Sequence, residues 1–181
     1  MAGMADQHPK GLVIVLTGDG KGKTTAALGM AMRAVGHGIR VAMVQFIKGQ
    51  ETGEHKAAAR LSPEFEIHRM GRGFVPPLGE GPSEPHEQAA REALQAVGRL
   101  LRARGHGMVI ADEILEAVHL KLLGPKDVLG LLADRPPPVH LVLTGRAAPP
   151  EIIERADLVT EMRLVKHPYE RGVQAQPGIE F

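Results

Sequence analysis

Leu12-Val13-Ile14-Val15-Leu16, running straight into Thr17-Gly18-Asp19-Gly20-Lys21-Gly22-Lys23-Thr24-Thr25, is the stretch that decides how this chain folds. The apolar run is short and rich in β-branched residues, which is the pattern of a buried strand. The Gly/Lys segment leads into an Ala- and Met-rich stretch of helical spacing, Thr24–Val35, so the order is strand, glycine loop, helix. In that order the glycines let backbone N–H groups turn toward one anion, and the helix N-terminus adds its positive end. Lys23 supplies a point charge and Thr24 a hydroxyl for Mg²⁺. Gly18, Asp19, Gly20, Lys21, Gly22, Lys23, Thr24 and Thr25 are therefore expected to cradle the polyphosphate of ATP. Counting back from Lys23 puts Thr17 where the usual G-x-x-x-x-G-K-[ST] pattern has glycine, so the loop is one residue short. A shortened cradle does not hold a terminal phosphoryl group in the ordinary register, and γ-phosphoryl transfer is not the default inference.

Outward from the loop, similar apolar runs recur at Val41–Ile47, Phe65–Met70, Met108–Ala111, Val139–Leu143 and Leu158–Leu164. Segments with helical spacing lie between them at Glu54–Leu61, His86–Arg104, Lys126–Ala133 and Pro150–Ala156. Near-continuous apolar strands alternating with helices predict an α/β, doubly wound fold with a mostly parallel sheet of about six strands, covered on both faces. Residues 1–181 are expected to form a single nucleotide-binding domain, with 1–10 a flexible arm. The long irregular stretch Gly71–Pro85 carries four Gly and four Pro, and a loop of that kind is usually functional.

Composition narrows the choice of function. Lys+Arg at 22 against Asp+Glu at 21 gives a net charge of +1, which leaves no electrostatic footprint for nucleic acid or an anionic membrane. The absence of Cys excludes disulfides, thiolate metal sites and a Cys nucleophile. No export signal is evident at the start, so a cytoplasmic address is expected. The nine His residues show no helical i, i+4 ligand pairs with acids to match. Met30, Met32, Met43 and Met108 fall on elements that pack, and are read as core filling.

A second site element is Met108-Val109-Ile110-Ala111-Asp112-Glu113, an apolar strand ending in two acids. Ligands of doubly wound sheets sit beyond the carboxyl ends of the strands, so these acids are expected to face the phosphates. Either one of them binds the metal, directly or through water, or both merely cap the next helix.

Six stretches in order now carry a resemblance. They are the loop Thr17–Thr25; Arg33-Ala34-Val35-Gly36-His37-Gly38; Val44-Gln45-Phe46-Ile47-Lys48-Gly49; Asp112-Glu113; Thr144-Gly145-Arg146; and Val165-Lys166-His167 with Ala175–Phe181. From about Gly11 to Phe181 the chain resembles the P-loop class of ATP:corrinoid adenosyltransferases, whose fold is of the RecA-like P-loop type. The resemblance implies that ATP lies reversed in the loop, with its triphosphate as leaving group and C5′ presented to cobalt. The nucleophile is then Co(I) of the corrinoid substrate. The protein works by positioning and by neutralising the departing tripolyphosphate, with Lys23, Glu113 and Asp112 as the catalytic set. Thr24 and Glu113 are the first choices for binding Mg²⁺ (or Mn²⁺), with Asp112 the runner-up. Arg33 and Arg146 either hold phosphates or ribose or are solvated and salt-bridged. A reduced flavoprotein or flavin as electron source and a homodimer are also implied.

One departure stands out. Relatives carry Gly-Phe-x-Trp in the loop after the third strand, and here Gly73-Phe74-Val75-Pro76 keeps Phe74 but has Pro76 at the Trp position. The segment 71–85, and Phe74 in particular, is still expected to contact corrin. Two other readings remain open at this stage: a generic P-loop kinase or ATPase, and an ATP-gated corrinoid carrier without turnover.

Overall fold

The computed structural model describes residues 10–73 and 84–181. Phe74 and Pro76, and the arm before Lys10, lie outside the described residues. Six strands form one sheet: β1 (Val13–Thr17), β2 (Val41–Gln45), β3 (Phe65–Arg69), β4 (Met108–Asp112), β5 (His140–Thr144) and β6 (Leu158–Glu161). Their order is β3-β2-β4-β5-β1-β6, and every neighbouring pair is parallel. Strands β1, β2 and β4 are buried at every position, as expected of strands covered on both faces.

The helices are α1 (Lys23–Gly36), α2 (Gly53–Ala59), α3 (Glu84–Ala103), α4 (Ile114–His119), α5 (Pro125–Asp134) and α6 (Pro150–Arg155), followed by a 3₁₀ turn at Pro168–Arg171. Alternation along each strand divides the core in two. Ile14 and Leu16 of β1, with Met43 and Ile110, pack under Ala27, Ala31 and Ala34 of α1. Val15, Val109 and Leu141 face the other way, onto Ala93, Val97 and Leu101 of α3 and Val128 of α5. The four-residue spacing of Ala93, Val97 and Leu101 lays one apolar stripe along α3. Small Ala side chains on α1 let that helix sit close to the sheet, which brings its N-terminus to the end of β1.

Two expectations shift. The run Leu158–Leu164 pairs only as far as Glu161. Beyond it Met162 donates from its N–H to the Thr17 carbonyl and accepts from Gly20 N–H at 2.7 Å, so the chain leaves the sheet and crosses the phosphate loop. Helix α4 has no counterpart in the sequence reading, because six residues span less than two turns and show no period. Met43 and Met108 are buried and Met30 packs against the core, but Met32 is 55% exposed and is not core.

Candidate functional site

The carboxyl ends of β1, β4 and β5 bring the chemistry-bearing residues together. After β1 the chain turns at Gly18 with φ 94°, a left-handed conformation that also leaves no room for a side chain. A Cβ there would lie 2.5 Å from the Met162 carbonyl oxygen. The loop then delivers Lys23 at the start of α1. Its ammonium donates to the carbonyls of Gly18 at 2.6 Å and Gly20 at 2.8 Å, which centres the charge in the loop and leaves one N–H for a ligand. Burial and then Arg146 lower the Lys23 pKa from its ordinary value.

Asp112 is fully buried at the end of β4 and organises the floor. Its Oδ1 accepts the Thr24 hydroxyl at 2.9 Å and the Thr144 hydroxyl at 2.7 Å, and its Oδ2 accepts from Gln45 Nε2 at 3.2 Å. Because Thr24 donates its only hydroxyl proton to Asp112, its oxygen lone pairs are left for a cation. The acid that sequence spacing left ambiguous thus holds Thr24 in place.

Glu113 differs from its neighbour. Its backbone is left-handed, φ 64°, a strained conformation for a residue with a Cβ, and its N–H donates to the Thr144 hydroxyl at 2.8 Å. Its Oε2 is buried without a hydrogen-bond partner. Burial, with Asp112 adding repulsion, raises its pKa to about 7. An unpartnered buried carboxylate oxygen near the Thr24 hydroxyl and the phosphate loop is an oxygen donor set suited to a hard divalent cation. Among the described residues no three His, Asp, Glu or Cys side chains form a metal cage, so such an ion would take its remaining ligands from phosphate and water.

Across from the loop lies an ion pair that the sequence reading did not assign. Lys48 donates to Glu54 Oε1 at 2.7 Å, both side chains being largely buried. Burial opposes the Lys48 charge, but the Glu54 hydrogen bond and the nearby Asp112 carboxylate reverse this and raise its pKa. Burial likewise opposes the Glu54 charge, and the hydrogen bonds from Lys48 and Thr52 overcome it, bringing Glu54 down to about 2. Lys48 stands in a motif quoted above, but its partner comes from α2, six residues on, and no motif marks the pair.

Lys23, Thr24, Glu113, Lys48 and Glu54 border a cleft of about 1170 Å³, and Asp112 lies buried behind them. Pockets for small-molecule ligands typically measure roughly 300–1,000 Å³, so this cleft is large for such a site. Asp19, Gly20, Lys21, Gly22, Lys23, Thr24 and Thr25 line its floor, and Gly18 underlies them. One wall is apolar, from Leu28 and Met32 of α1 and Ala57, Ala58 and Leu61 in and after α2. The far rim is the tail, with His167, Tyr169, Ile179 and Phe181. Arg146 lies 3.9 Å from Asp19 and 3.8 Å from Glu116, so it is salt-bridged, and it also lines the cleft. Arg33 does not line the cleft. It sits exposed in the last turn of α1, about 15 Å along the helix from Lys23.

Comparison with known proteins agrees with this geometry. Residues 9–181 match the family described as ATP:corrinoid adenosyltransferase BtuR/CobO/CobP. The chain is 42% identical to the corrinoid adenosyltransferase of Pseudomonas aeruginosa, over 95% of this chain and 84% of that protein. It is 41% identical to the corrinoid adenosyltransferase of Escherichia coli K12, over 97% and 88%. Among solved structures a KaiC-like protein from Pyrococcus horikoshii OT3 is similar in fold, with TM-score 0.55 and 20% identity over 88% of this chain and 75% of that one. With a phosphate loop, an acidic strand end and a motif-bearing tail all bordering one cleft, and with relatives matched over nearly the whole chain, this protein belongs to the ATP:corrinoid adenosyltransferase family.

Proposed function

We propose that this chain transfers the 5′-deoxyadenosyl group of Mg-ATP to the Co(I) of a corrinoid and releases tripolyphosphate. The observation that carries the reading is the large cleft at the phosphate loop. A shortened phosphate loop opens directly into a large space with an apolar wall. The electron pair of Co(I) forms the cobalt–carbon bond at C5′. The C5′–O bond breaks, and its electron pair leaves with the tripolyphosphate. No protein nucleophile and no proton transfer are needed, so the protein's contribution is alignment and charge.

Lys23 and the loop N–H groups bind the triphosphate, and Lys21 and Arg146 add positive charge at the mouth. Asp112 fixes the Thr24 hydroxyl. Thr24 and Glu113 would hold Mg²⁺, which supplies neutralisation of leaving-group charge when bound. The apolar wall of α1 and α2 excludes water from the reacting centre. Phe74 and the 71–85 segment are assigned to the corrin face on sequence alone. A reduced flavoprotein or flavin is assigned as the source of the electron that converts Co(II) to Co(I). A homodimer is also proposed, supported by the edge strand β6, where Leu158 is 43% and Val159 40% exposed. Among the described residues no helix is long and apolar enough to cross a membrane, which is compatible with the cytoplasmic address proposed for the protein.

The test is anaerobic incubation with Mg-ATP and chemically reduced Co(I) corrinoid. A light-sensitive corrinoid product with one tripolyphosphate per cobalt is expected. ADP and orthophosphate without a cobalt–carbon product would make the protein a nucleotidase instead, and tight binding with neither product would make it a carrier.

A further inference from the structure

A line of polar contacts runs from the phosphate loop to α2 that adenosyl transfer does not itself require. Thr24 donates to Asp112 at 2.9 Å, and Gln45 Nε2 donates to the other oxygen of Asp112 at 3.2 Å. The same Nε2 lies 3.4 Å from Glu54 Oε1, which also accepts from Lys48 at 2.7 Å. Gln45, the last residue of β2, is fully buried, and its amide nitrogen separates two carboxylates. Its orientation follows from charge: the NH₂ offers two hydrogens to two acceptors, whereas a flipped amide would set its oxygen against both. Its own Oε1 has no hydrogen-bond partner, a cost that a buried Leu or Met would avoid. An apolar residue would fill the space, but only an amide joins the two acids.

We propose that Gln45 and Glu54 are positioning residues for metal-bound ATP. The bridge from Lys48 through Glu54 and Gln45 to Asp112 holds the carboxylate that in turn orients the Thr24 oxygen. Glu54 exerts this effect from α2, the helix that carries Ala57 and Ala58 of the apolar wall, without itself touching the loop. The bridge therefore ties the apolar wall of the cleft to the metal side of the nucleotide site. The inference rests on the reading of this cleft as a Mg-ATP site.

The experiment is equilibrium binding of ATP, without corrinoid, in Mg²⁺ and in excess chelator, for wild type, Glu54→Ala, Gln45→Leu and the double variant. The readout is the ratio of the two dissociation constants. Partners that orient metal-binding groups typically contribute about 10–100-fold to metal affinity, so the Mg²⁺-dependent gain is expected to fall about ten-fold in either single variant. Metal-free ATP affinity should stay within about two-fold, and the double variant should be no worse than Gln45→Leu, as residues in one network are non-additive. If Gln45→Leu does not fold, Glu54→Ala alone decides, because Glu54 stands on α2 and lines the cleft, whereas Gln45 is fully buried within the sheet. A Glu54→Ala protein with the wild-type Mg²⁺-dependent gain would overturn the proposal, as would additive losses in the double variant. Failure of wild type to bind ATP at all would instead remove the functional reading on which it rests.

Discussion

Replacing Glu113 by Gln should stabilise the folded protein at alkaline pH. Glu113 has its pKa raised from 4.5 to about 7, first by burial and then by Asp112. A carboxyl group with a raised folded-state value favours folding fully below the unfolded value and loses that contribution as pH climbs through the folded one. The folded protein thus gives up stability between about pH 4.5 and 7, and above that range carries the whole penalty of a buried, repelled carboxylate. At about 1.4 kcal/mol per pH unit the interval corresponds to roughly 3 kcal/mol. Gln has nearly the same shape, keeps the strained left-handed backbone and cannot ionise, so the difference between the two proteins isolates the charge. Denaturant titrations at pH 4 and pH 8.5, in chelator so that no cation neutralises the site, should show near equality at the lower pH. At the higher pH the variant should be more stable by about 2–3 kcal/mol, or some 4–12 °C in Tm for a chain of this size. Equal stability of the two proteins at pH 8.5, or a variant less stable there, would refute the assignment of an uncompensated buried charge. Adding Mg-ATP should narrow the gap by stabilising wild type more than the variant.

Three further outcomes are expected. Lys23→Ala should lower kcat/KM for ATP by about 10²–10³-fold, as for loss of one preorganised charge, while leaving Tm nearly unchanged, because the ammonium bonds only its own loop. Gly145→Ala should cost at least about 2 kcal/mol and most of the activity, measured by thermal melts and product formation. Its φ is 140°, its Cβ would lie 2.3 Å from Glu116 N, and it stands between Thr144 and Arg146. Leu101→Ala, in the α3 core far from the cleft, should lose about 2–5 kcal/mol in denaturant titration with KM unchanged below the melting range.

Much of this protein was legible along the chain because its signals are local. The four apolar residues Val13–Leu16 before Thr17 are buried on both faces, which requires helices on both sides of a parallel sheet. The glycines, Lys23 and Thr24 form one contiguous cradle whose chemistry is set by residue type and spacing, and the Asp112-Glu113 pair closes a strand that had to end near it. What tertiary structure alone decided is the division of labour among groups distant in sequence. Asp112 and Glu113 are adjacent and chemically alike. The Thr24, Thr144 and Gln45 donors come from three other elements and meet at one of them, leaving one oxygen of the other buried without a partner. The Lys48–Glu54 pair and the departure of the chain from β6 over the loop likewise depend on which surfaces packing brings within hydrogen-bond reach. Arg33 and Met32 make the same point from the opposite side: neighbours on α1, they are separated by the helical rotation of about 100° per residue, which turns Met32 toward the cleft and Arg33 away from it. Spacing in sequence fixes the chemistry of contiguous groups, whereas burial and long-range hydrogen bonding, which decide how two identical carboxyl groups differ, exist only once the sheet has assembled.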